Sequence, residues 1–465
     1  MPELPEVNNI INYLKNHEHL TTKTICKVDV LYDYTIEGSK DYFINALKNK
    51  RILDITQKGK YIIFHLSDDL VIVSHLRMEG KYFVKNEDVE NTKHDLVIFH
   101  FTDNTKLVYN DTRKFGRMIL LNEKNYLSVP PLSKVGPEPF ENISIAYLKE
   151  NYQTKNIALK QLLLDQSIIS GIGNIYADEI CFDTKLNPRT PGKFLSDDDL
   201  LNIVSSARKI LTLAINFGGS TIKTYHIAED KEGNYQSHLN VYNRENQPCK
   251  RCGYPLRKIF LNGRGTTFCP RCQVDKSLPF VLALTGPIAS GKSSVNAYFV
   301  KQGFISLDLD NIVHEVYKDK TVQKEIKNII PSLKIVEGNI DRLYLKQYLI
   351  NHKAAKNDLE NYLYEGLYNL VLKKLRKIGP GKKVVMDVPL LFKSHLDDFA
   401  NKILLIQINP NIQRERLEKR SGNSDLYLKL NKSYFEQEDI KKADFVISNN
   451  SNLEDLYKEL DNLNI

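Results

Sequence analysis

Residues 281–295 read VLALTGPIASGKSSV, in which an apolar run leads directly into a glycine-rich octet. The octet GPIASGKS, residues 286–293, fits the pattern G-x4-G-K-[ST], which binds phosphates when a strand precedes it and a helix follows. Apolar runs (ISLDLD, KVVMDVPLLF, KILLIQI and ADFVIS) then alternate with long helical stretches. Such alternation predicts a parallel sheet covered by helices. We therefore expect an α/β P-loop domain over residues 280–465.

The chain ahead of residue 278 has a different pattern. A short helical segment follows Pro5, and then short β runs (ICKVDVLY, KYIIFHL, DLVIVSHL, HDLVIFHF and KLVYND) are broken by Gly, Asp and Asn. Many short strands of this kind predict a β-sandwich or barrel. A Pro-rich connector, PPLSKVGPEPF, leads into amphipathic helices. We expect a β-sandwich over residues 1–130, a helical domain over 131–240 and a cysteine-rich ribbon over 241–276.

Composition narrows the class of protein. The chain has 465 residues, of which 42% are hydrophobic and 26% charged, and this argues against a disordered or fibrous protein. No run approaches the roughly 18 apolar residues of a membrane span, and the N-terminus lacks the features of a secretory signal. A net charge of +8 permits nucleic-acid binding without demanding it. The expectation is a cytoplasmic, monomeric enzyme without a membrane partner.

Four of the six cysteines form one cluster, C-x2-C-x16-C-x2-C, at Cys249, Cys252, Cys269 and Cys272. Each C-x2-C pair forms a tight turn whose thiolates can converge on one tetrahedral zinc ion at about 2.3 Å. Two disulfides are the alternative, but cytosol is reducing. Because sulfur fills all four positions, the predicted zinc is structural rather than catalytic.

The glycine-rich loop predicts an ATP site with Mg²⁺. Its backbone N–H groups would surround the phosphates, Lys292 would reach the β- and γ-phosphates, and Ser293 would bind Mg²⁺. Downstream, ISLDLD places Asp308 and Asp310 at i and i+2, predicted on one face at the end of the second strand. A carboxylate there can accept the proton of an acceptor hydroxyl. The predicted ATP-binding residues of the loop are Gly286, Pro287, Ile288, Ala289, Ser290, Gly291, Lys292, Ser293 and Ser294.

The chain begins Met1-Pro2-Glu3. Proline in this position commonly means only that Met1 is removed. Removal would leave a secondary amine beside a carboxylic acid, and such an amine can attack a sugar C1′ to give an iminium ion. An α-amino group titrates near about 8, so modest desolvation leaves it nucleophilic at neutral pH.

Eight motifs in the first 275 residues occur in a recognisable order. They are PELPEV, KGKY, HLRMEGK, NDTRKFGR, SGIGNIYADE, GGSTIK, LNVYNRENQPC and the cysteine ribbon. Together they resemble the formamidopyrimidine-DNA glycosylase family over residues 2–274. The resemblance implies a bacterial enzyme that removes oxidised purines (8-oxoguanine and formamidopyrimidines) from double-stranded DNA and then cleaves the strand by β,δ-elimination.

The resemblance implies roles for individual residues. Pro2 would be the Schiff-base nucleophile, Glu3 the general acid, and Glu6 a buried acidic partner. Lys60 would act in β-elimination from a β-hairpin, although Lys58 is an equal candidate from spacing alone because two strand residues at i and i+2 share a face. Arg264 joins the catalytic set from the hairpin that zinc would hold against DNA.

A flipped base leaves a hole in the duplex that protein side chains must fill. By resemblance, Met78 is an apolar plug, Arg113 a cation for the orphaned cytosine and Phe115 an aromatic wedge. Met78 or Phe115 alone is as readily explained by core packing. The expected phosphate binders are His94, Lys155, Asn174 and Arg264. The loop over residues 218–238 corresponds to the family's cover for the extruded base.

The C-terminal motifs VVMDVPLLF, RERLEKR and KKADFVISNNSN, with the phosphate loop, are similar to the dephospho-CoA kinase family. The resemblance implies transfer of the ATP γ-phosphate to a ribose 3′-hydroxyl, with Asp310 as base and Asp387 on a Walker-B-like strand. Arg416 and Arg420 would supply cations to the ATP phosphates; a solvated helix with i, i+4 charge pairs is the alternative. Leu359-Glu360 lacks the His-Pro pair that follows in relatives.

These patterns together predict a bifunctional fusion that uses structural Zn²⁺, ATP and Mg²⁺, with damaged DNA and dephospho-CoA as substrates. Three alternatives remain at this point. The kinase half could be decayed or altered in its acceptor, the P-loop half could drive DNA processing with ATP, or the first half could sense lesions without lyase chemistry.

Overall fold

A computed structural model describes residues 2–220, 234–307, 309–336, 339–421, 437–463 and 465. The chain divides into two compact units, Met1–Asp275 and Lys276–Ile465. Within the described ranges, no helix combines the length and apolar character needed to cross a bilayer.

The first unit begins with a helix and a β-sandwich. The helices are α1 (Leu4–Asn16) and α2 (Lys40–Leu47), and the strands are β1 (Ile25–Val30), β2 (Ile36–Glu37), β3 (Ile52–Lys58), β4 (Tyr61–Leu66), β5 (Leu70–His75), β6 (Lys81–Asn86), β7 (Asp95–Phe101), β8 (Thr105–Asn110) and β9 (Arg117–Asn122). One sheet has the order β1-β7-β8-β6 and the other β2-β9-β5-β4-β3. Apolar side chains of both sheets and of α1 share one core, so the expected sandwich is confirmed.

A helical domain follows the sandwich. Its helices are α3 (Ile145–Leu148), which continues as a π-turn over Lys149–Gln153, α4 (Leu159–Leu164), α5 (Asn174–Asp183) and α6 (Asp197–Asn216). A capping box between Ser196 and Asp199 fixes the start of α6. Helix α5 is buried over Ile175–Phe182 and lies at the centre of this domain's core.

A two-stranded ribbon closes the first unit. Strands β10 (Arg257–Leu261) and β11 (Arg264–Phe268) pair antiparallel across the turn Asn262-Gly263. Both turn residues have positive φ, 47° and 71°, as the tightest hairpins require. The ribbon therefore ends in a fixed turn, and Arg264 is the first residue of its returning strand.

The second unit is a parallel α/β sheet, as predicted. Its sheet strands are β12 (Phe280–Thr285), β13 (Ile305–Leu307), β16 (Lys383–Asp387), β17 (Lys402–Gln407) and β18 (Phe445–Ser448), in the order β13-β16-β12-β17-β18, and a separate hairpin joins β14 (Ile335–Val336) to β15 (Asn339–Ile340). The helices are α7 (Lys292–Lys301), α8 (Leu309–Lys318), α9 (Lys320–Ile329), α10 (Arg342–Asn351), α11 (Lys353–Ile378), α12 (Pro410–Ser421) and α13 (Leu453–Asp461). Two separate clusters of buried side chains pack on the sheet.

The prediction for the second strand of this sheet was wrong. Strand β13 ends at Leu307 and helix α8 begins at Leu309, so Asp310 belongs to the first turn of a helix. Asp308 lies outside the described residues. This segment forms a helix rather than a strand because Leu309, Ile312 and Val316 recur at helical spacing and are all buried. Asp310 therefore does not lie on a strand face.

Candidate active sites

A cavity of about 490 Å³ opens in the first unit. It collects residues from both ends of that unit's sequence. Its lining comprises Pro2, Glu3, Glu6, Lys60, His75, Arg77, Met78, Glu79, Leu164, Gln166, Asn174, Ile175, Ser220, Tyr242 and Arg264. Six other predicted site residues thus meet Pro2 in one place: Glu3, Glu6, Lys60, Met78, Asn174 and Arg264.

Glu3 lies at the N-terminus of α1, and its side chain contacts the N-terminus of α5. It precedes α1, where its backbone N–H donates to Glu6 Oε2 at 2.9 Å. Its carboxylate accepts hydrogen bonds from the N–H groups of Gly173 at 2.6 Å and Ile175 at 2.9 Å, at the start of α5. Burial raises the pKa of Glu3 to about 6, although Lys60 and these N–H groups oppose the shift. Glu3 is therefore poised to hold or give up a proton near neutral pH.

The approach of Glu3 to α5 requires a glycine at residue 173. A Cβ atom there would lie 2.2 Å from the carboxylate carbon of Glu3. The conformation of Gly173 is extended and open to any residue, so space rather than backbone strain selects glycine. The second glycine of SGIGNIYADE, Gly173, therefore makes room for the acid.

Glu6 is buried and its carboxylate is fully engaged. Its Oε1 accepts hydrogen bonds from the Tyr176 hydroxyl at 2.6 Å and from the Ser220 N–H at 2.9 Å. Sequence reasoning identified Glu6 and missed both donors. Tyr176 lies within the NIYADE motif, but the sequence around a tyrosine in a helix gives no sign of whether its hydroxyl is used. Residues 221–233 of the expected covering loop lie outside the described part of the chain.

The structure separates the two candidate lysines. Strand β3 ends at Lys58 and β4 begins at Tyr61, so Lys60 lies in the turn and the assumption of one shared strand face was wrong. Lys60 is buried in the cavity, and its Nζ donates to Ile172 O at 2.8 Å. Burial lowers the pKa of Lys60, against the pull of Glu3 and Glu6. Lys58 instead pairs with Glu141 at 2.6 Å, outside the cavity lining.

Three consecutive residues of HLRMEGK, Arg77, Met78 and Glu79, line the cavity from a tight turn after β5. Arg77 has a positive φ of 53°, and its N–H donates to His75 Nδ1 at 2.9 Å. Burial, with help from the nearby charges of Arg77 and Lys60, lowers the pKa of His75 to about 3. His75 is therefore a neutral imidazole at physiological pH. Sequence reasoning quoted this motif but singled out only Met78.

A buried ion pair lies within the helical domain, and its lysine also binds the ribbon. Lys160 Nζ and Asp178 Oδ1 are 2.7 Å apart, and both side chains are buried. The same ammonium donates to Gly265 O at 2.8 Å, next to Arg264, and the Asn174 amide donates to the same carbonyl at 3.3 Å. Helices α4 and α5 thus hold the start of β11, and Arg264 with it, at the cavity.

The predicted wedge is a separate, exposed loop. Asp111 accepts hydrogen bonds from the N–H groups of Arg113 and Phe115, both at 2.9 Å. The Arg113 guanidinium lies 4.8 Å from the centroid of the Phe115 ring, which is 48% exposed. An exposed aromatic side chain under a cation is not core packing, so the alternative for Phe115 is excluded. Neither His94 nor Lys155 lines the cavity.

The four cysteines predicted to bind zinc lie together. Their sulfur atoms all lie within 4.8 Å of one another, with Cys249 and Cys272 at 4.0 Å and Cys252 and Cys269 at 3.5 Å. Sulfur atoms around a tetrahedral zinc ion lie about 3.8 Å apart. The cluster therefore fits one Zn²⁺, held by two turns that flank the ribbon.

The phosphate loop of the second unit runs from β12 into α7. Lys292 Nζ donates to the carbonyls of Gly286 and Pro287, both at 3.0 Å, so its ammonium lies over the loop. A cavity of about 450 Å³ adjoins it. Its lining comprises Ile288, Ala289, Gly291, Lys292, Ser293, Ser294, Arg416, Arg420, Asn449, Ser451 and Leu453. Both predicted arginines thus face the loop; Asn449, which sequence reasoning missed, joins them.

The predicted acidic residues of the kinase are placed less completely. Asp387 is the last residue of β16 and pairs with Leu284 of β12, just ahead of the phosphate loop. Asp310 lies in the first turn of α8, and the structure describes its backbone only. The position of Asp387 is that of a carboxylate at the carboxyl edge of a parallel sheet.

Four family models match the chain in sequence. They are the formamidopyrimidine-DNA glycosylase N-terminal domain over residues 1–118, the formamidopyrimidine-DNA glycosylase H2TH domain over 135–226, the zinc finger found in FPG and IleRS over 246–274, and dephospho-CoA kinase over 280–455. The matched ranges fall on the sandwich, the helical domain, the ribbon and the α/β unit described above.

Curated relatives match the first unit over their whole length. A formamidopyrimidine-DNA glycosylase of Ligilactobacillus salivarius is 44% identical over 278 residues, which is 60% of this chain and 100% of the relative. One from Mycoplasma mobile is 41% identical over 274 residues, 59% of this chain and 99% of the relative.

Solved structures match the same part of the chain. A Lactococcus lactis FPG mutant in complex with Fapy-dG containing DNA has a TM-score of 0.56 and 35% identity, covering 58% of this chain and 99% of that one. A complex of the Lactococcus lactis protein with DNA that contains an abasic site has a TM-score of 0.54 and 34% identity, with the same coverage.

Proposed function

Since the chain belongs to the formamidopyrimidine-DNA glycosylase family over its first unit and carries a dephospho-CoA kinase domain in its second, we propose that it is a bifunctional enzyme. The first unit would excise oxidised purines from double-stranded DNA and cleave the resulting abasic site. The second would phosphorylate the ribose 3′-hydroxyl of dephospho-CoA with ATP. The DNA complexes of the Lactococcus lactis protein support the first choice of substrate.

Base removal would start at Pro2. Its nitrogen, freed by loss of Met1, would bond to C1′ of the damaged nucleotide while the bond between C1′ and the base breaks, and the departing base would take up the proton that the amine loses. Glu3 would then donate a proton to the sugar ring oxygen as the bond between C1′ and that oxygen breaks, which opens the ring and leaves an iminium ion. The raised pKa of Glu3, about 6, supports this role because a larger fraction of the carboxyl is protonated near neutral pH than in an ordinary glutamate. The single observation that carries the proposal is the meeting of Pro2, Glu3 and Lys60 in one cavity.

Strand cleavage would use the lysine and arginine of the same cavity. Lys60 has a lowered pKa, which makes its neutral amine accessible for proton transfer in β-elimination. Arg264 enters from the ribbon and would assist the second elimination. Zinc, when bound, crosslinks the two cysteine turns and so stabilises the base of the ribbon that carries Arg264.

DNA would be held around this cavity. Met78 lines it and would fill the space left by the extruded base, while Arg113 and Phe115, on the exposed loop, would contact the opposite strand. Asn174, at the N-terminus of α5, would bind phosphate through its side-chain amide, because Glu3 already accepts the hydrogen bonds of the neighbouring N–H groups. His94, Lys155 and Arg264 are proposed as further phosphate contacts.

Borohydride trapping tests the lyase proposal. Processed protein is incubated with a duplex that carries 8-oxoguanine, and a reduced covalent adduct is expected. Pro2→Gly should abolish the adduct because the secondary amine is lost, while zinc content stays unchanged. If processed wild-type protein forms no adduct, the lyase proposal is wrong and lesion sensing without catalysis becomes the better account.

The cavity beside the phosphate loop supports phosphoryl transfer in the second unit, because loop residues and two arginines line it together. Lys292, Arg416 and Arg420 would neutralise the ATP phosphates, and Ser293 would bind Mg²⁺. Asp310 is the proposed base toward the acceptor hydroxyl. The expected result is ATP-dependent phosphorylation of dephospho-CoA that is lost in Lys292→Ala and in Asp310→Asn. ATP binding without product would instead indicate another acceptor, and DNA-stimulated ATP hydrolysis would favour a DNA-processing role.

A further inference from the structure

Side chains from two other elements bind three consecutive carbonyls of the phosphate loop. Gln413 Nε2 donates to Ile288 O at 2.9 Å, and Asn449 Nδ2 donates to Ser290 O at 2.8 Å. Between them, Arg416 donates to Ala289 O at a longer 3.4 Å. Gln413 and Arg416 come from α12, whereas Asn449 directly follows β18. The two short bonds thus tie the loop to separate parts of the unit.

Asn449 is held firmly in its position. Its backbone N–H donates to Gln407 O at 2.9 Å and extends the pairing of β17 with β18. The residue is only 6% exposed. Its amide packs so closely on the loop that a Cβ atom on Gly291 would lie 2.1 Å from Nδ2. Gly291 also has a φ of 97°, so both space and backbone conformation exclude a larger residue there.

Because the peptide bond is planar, the contacts with the loop carbonyls also orient the N–H groups of the loop. In a trans peptide the C=O and N–H groups point to opposite sides of the chain. Binding of Ser290 O by Asn449 therefore fixes the direction of the Gly291 N–H, and binding of Ile288 O by Gln413 fixes that of the Ala289 N–H. Fixed N–H groups of such a loop are what bind a phosphate, because they need no rearrangement when the anion arrives.

We propose that Asn449 and Gln413 are positioning residues of the phosphate loop, which hold the Gly291 and Ala289 N–H groups in the orientation that binds the ATP phosphates. The proposal rests on the proposed kinase function and adds two residues outside the loop motif to it. Each residue acts on ATP through the backbone of the loop. Its loss should therefore weaken the binding of the phosphate chain and leave contacts with the nucleoside unaffected.

The test measures the affinity of the full chain for Mg²⁺-ATP and for inorganic triphosphate by isothermal titration calorimetry. Asn449→Ala and Gln413→Ala are each expected to weaken both ligands by about fivefold, the loss of one net hydrogen bond. Asn450→Ala is the matched control, because Asn450 is an adjacent exposed asparagine whose carboxamide oxygen accepts from the Asn409 N–H instead. The control should bind both ligands as the wild type does.

The outcomes separate this proposal from others. Weaker ATP binding with unchanged triphosphate binding would overturn it, since the residues would then serve the nucleoside. Unchanged binding of both ligands in both variants would overturn it as well. Thermal unfolding of each variant identifies a folding defect, and the partly exposed Gln413 supplies a result even if Asn449→Ala is unstable. No acceptor is present, so failure to phosphorylate dephospho-CoA would contradict only the proposed function.

Discussion

The carboxylate of Glu3 accepts a hydrogen bond from the Gly173 N–H across 2.6 Å, although 170 residues separate them in the chain. This contact brings the N-terminus of the protein to the N-terminus of a buried helix. Two effects on the carboxyl oppose each other there: the helix N–H groups favour its ionised form, while burial favours the protonated form. Burial prevails, and the pKa of Glu3 rises to about 6.

The raised pKa of Glu3 predicts a pH dependence of stability. The folded protein holds a proton on Glu3 between its ordinary pKa of 4.5 and about 6, whereas the unfolded chain does not. Stability is therefore lost as pH rises through this window, by up to about 2 kcal/mol. Glu3→Gln should lack this loss. Denaturant unfolding of the wild type and of Glu3→Gln at pH 4.5 and pH 7 measures this loss. If the difference in unfolding free energy between the two proteins does not grow from pH 4.5 to pH 7, the raised pKa of Glu3 is contradicted.

Gly173→Ala should inactivate the DNA site without unfolding the protein. The new methyl group would overlap the Glu3 carboxylate and force the acid away from α5. We expect base excision to fall by at least about 100-fold, because general acid catalysis contributes about that much. Excision of 8-oxoguanine from a duplex provides the measurement. Normal zinc content would show that the cysteine ribbon of the variant is folded. An unchanged excision rate would mean that Glu3 is not the acid.

Lys60→Ala and Lys58→Ala form a matched pair. Lys60 is buried in the cavity, so its loss should slow cleavage at a preformed abasic site by about 100-fold or more. Lys58 pairs with Glu141 outside the cavity, and its loss should change the rate less than about twofold. Cleavage rates on abasic duplex compare the two. Equal losses would argue that the hairpin as a whole matters rather than the Lys60 amine.

The ion pair between Lys160 and Asp178 predicts an asymmetric response to mutation. Lys160→Met leaves a buried carboxylate without its cation, and this should lower the free energy of unfolding by about 3 kcal/mol. The double variant Lys160→Met with Asp178→Leu removes both charges and should recover most of that loss. Urea unfolding of the three proteins checks this. If the double variant is no more stable than the single one, packing rather than the unpaired charge determines the loss.

Removal of one zinc ligand should affect the two units differently. Cys269→Ser is expected to lose zinc and with it the binding of duplex DNA, since the ribbon carrying Arg264 depends on the cluster. ATP affinity should stay within about twofold of wild type, because unit Lys276–Ile465 has its own sheet and core. Metal analysis and calorimetry with ATP measure both. Loss of both ligands together would argue against independent units.

Helices with strong local signals could be predicted closely from sequence. The structure confirms the helices predicted after the Pro-rich connector: a glycine turn precedes α5, and Ser196 caps α6. The phosphate loop is also local, so its eight residues identify it without tertiary information. The same holds for the cysteine cluster, whose spacing fixes two metal-binding turns.

The errors arose where distant contacts decide. A strand was extended to Asp310 because ISLDLD alternates over a few residues, while the core contacts that favour a helix involve Ile312 and Val316 further on. Lys58 and Lys60 could not be separated because a tight turn between them reverses the chain. Asn449 was missed because it meets the loop 159 residues away through one side-chain hydrogen bond. Sequence spacing contains no information on such pairings.

The contact of Glu3 with α5 also has a consequence for how the protein is made. A ribosome releases the N-terminus first, and residues 173–176 follow only after most of the first unit has been synthesised. Until then Glu3 lacks the N–H groups that bind its carboxylate in the folded protein. In the finished fold Pro2 is buried. The contact between Glu3 and α5 can therefore close only after α5 has been synthesised, so the cavity that holds Pro2 is completed late in the synthesis of the first unit.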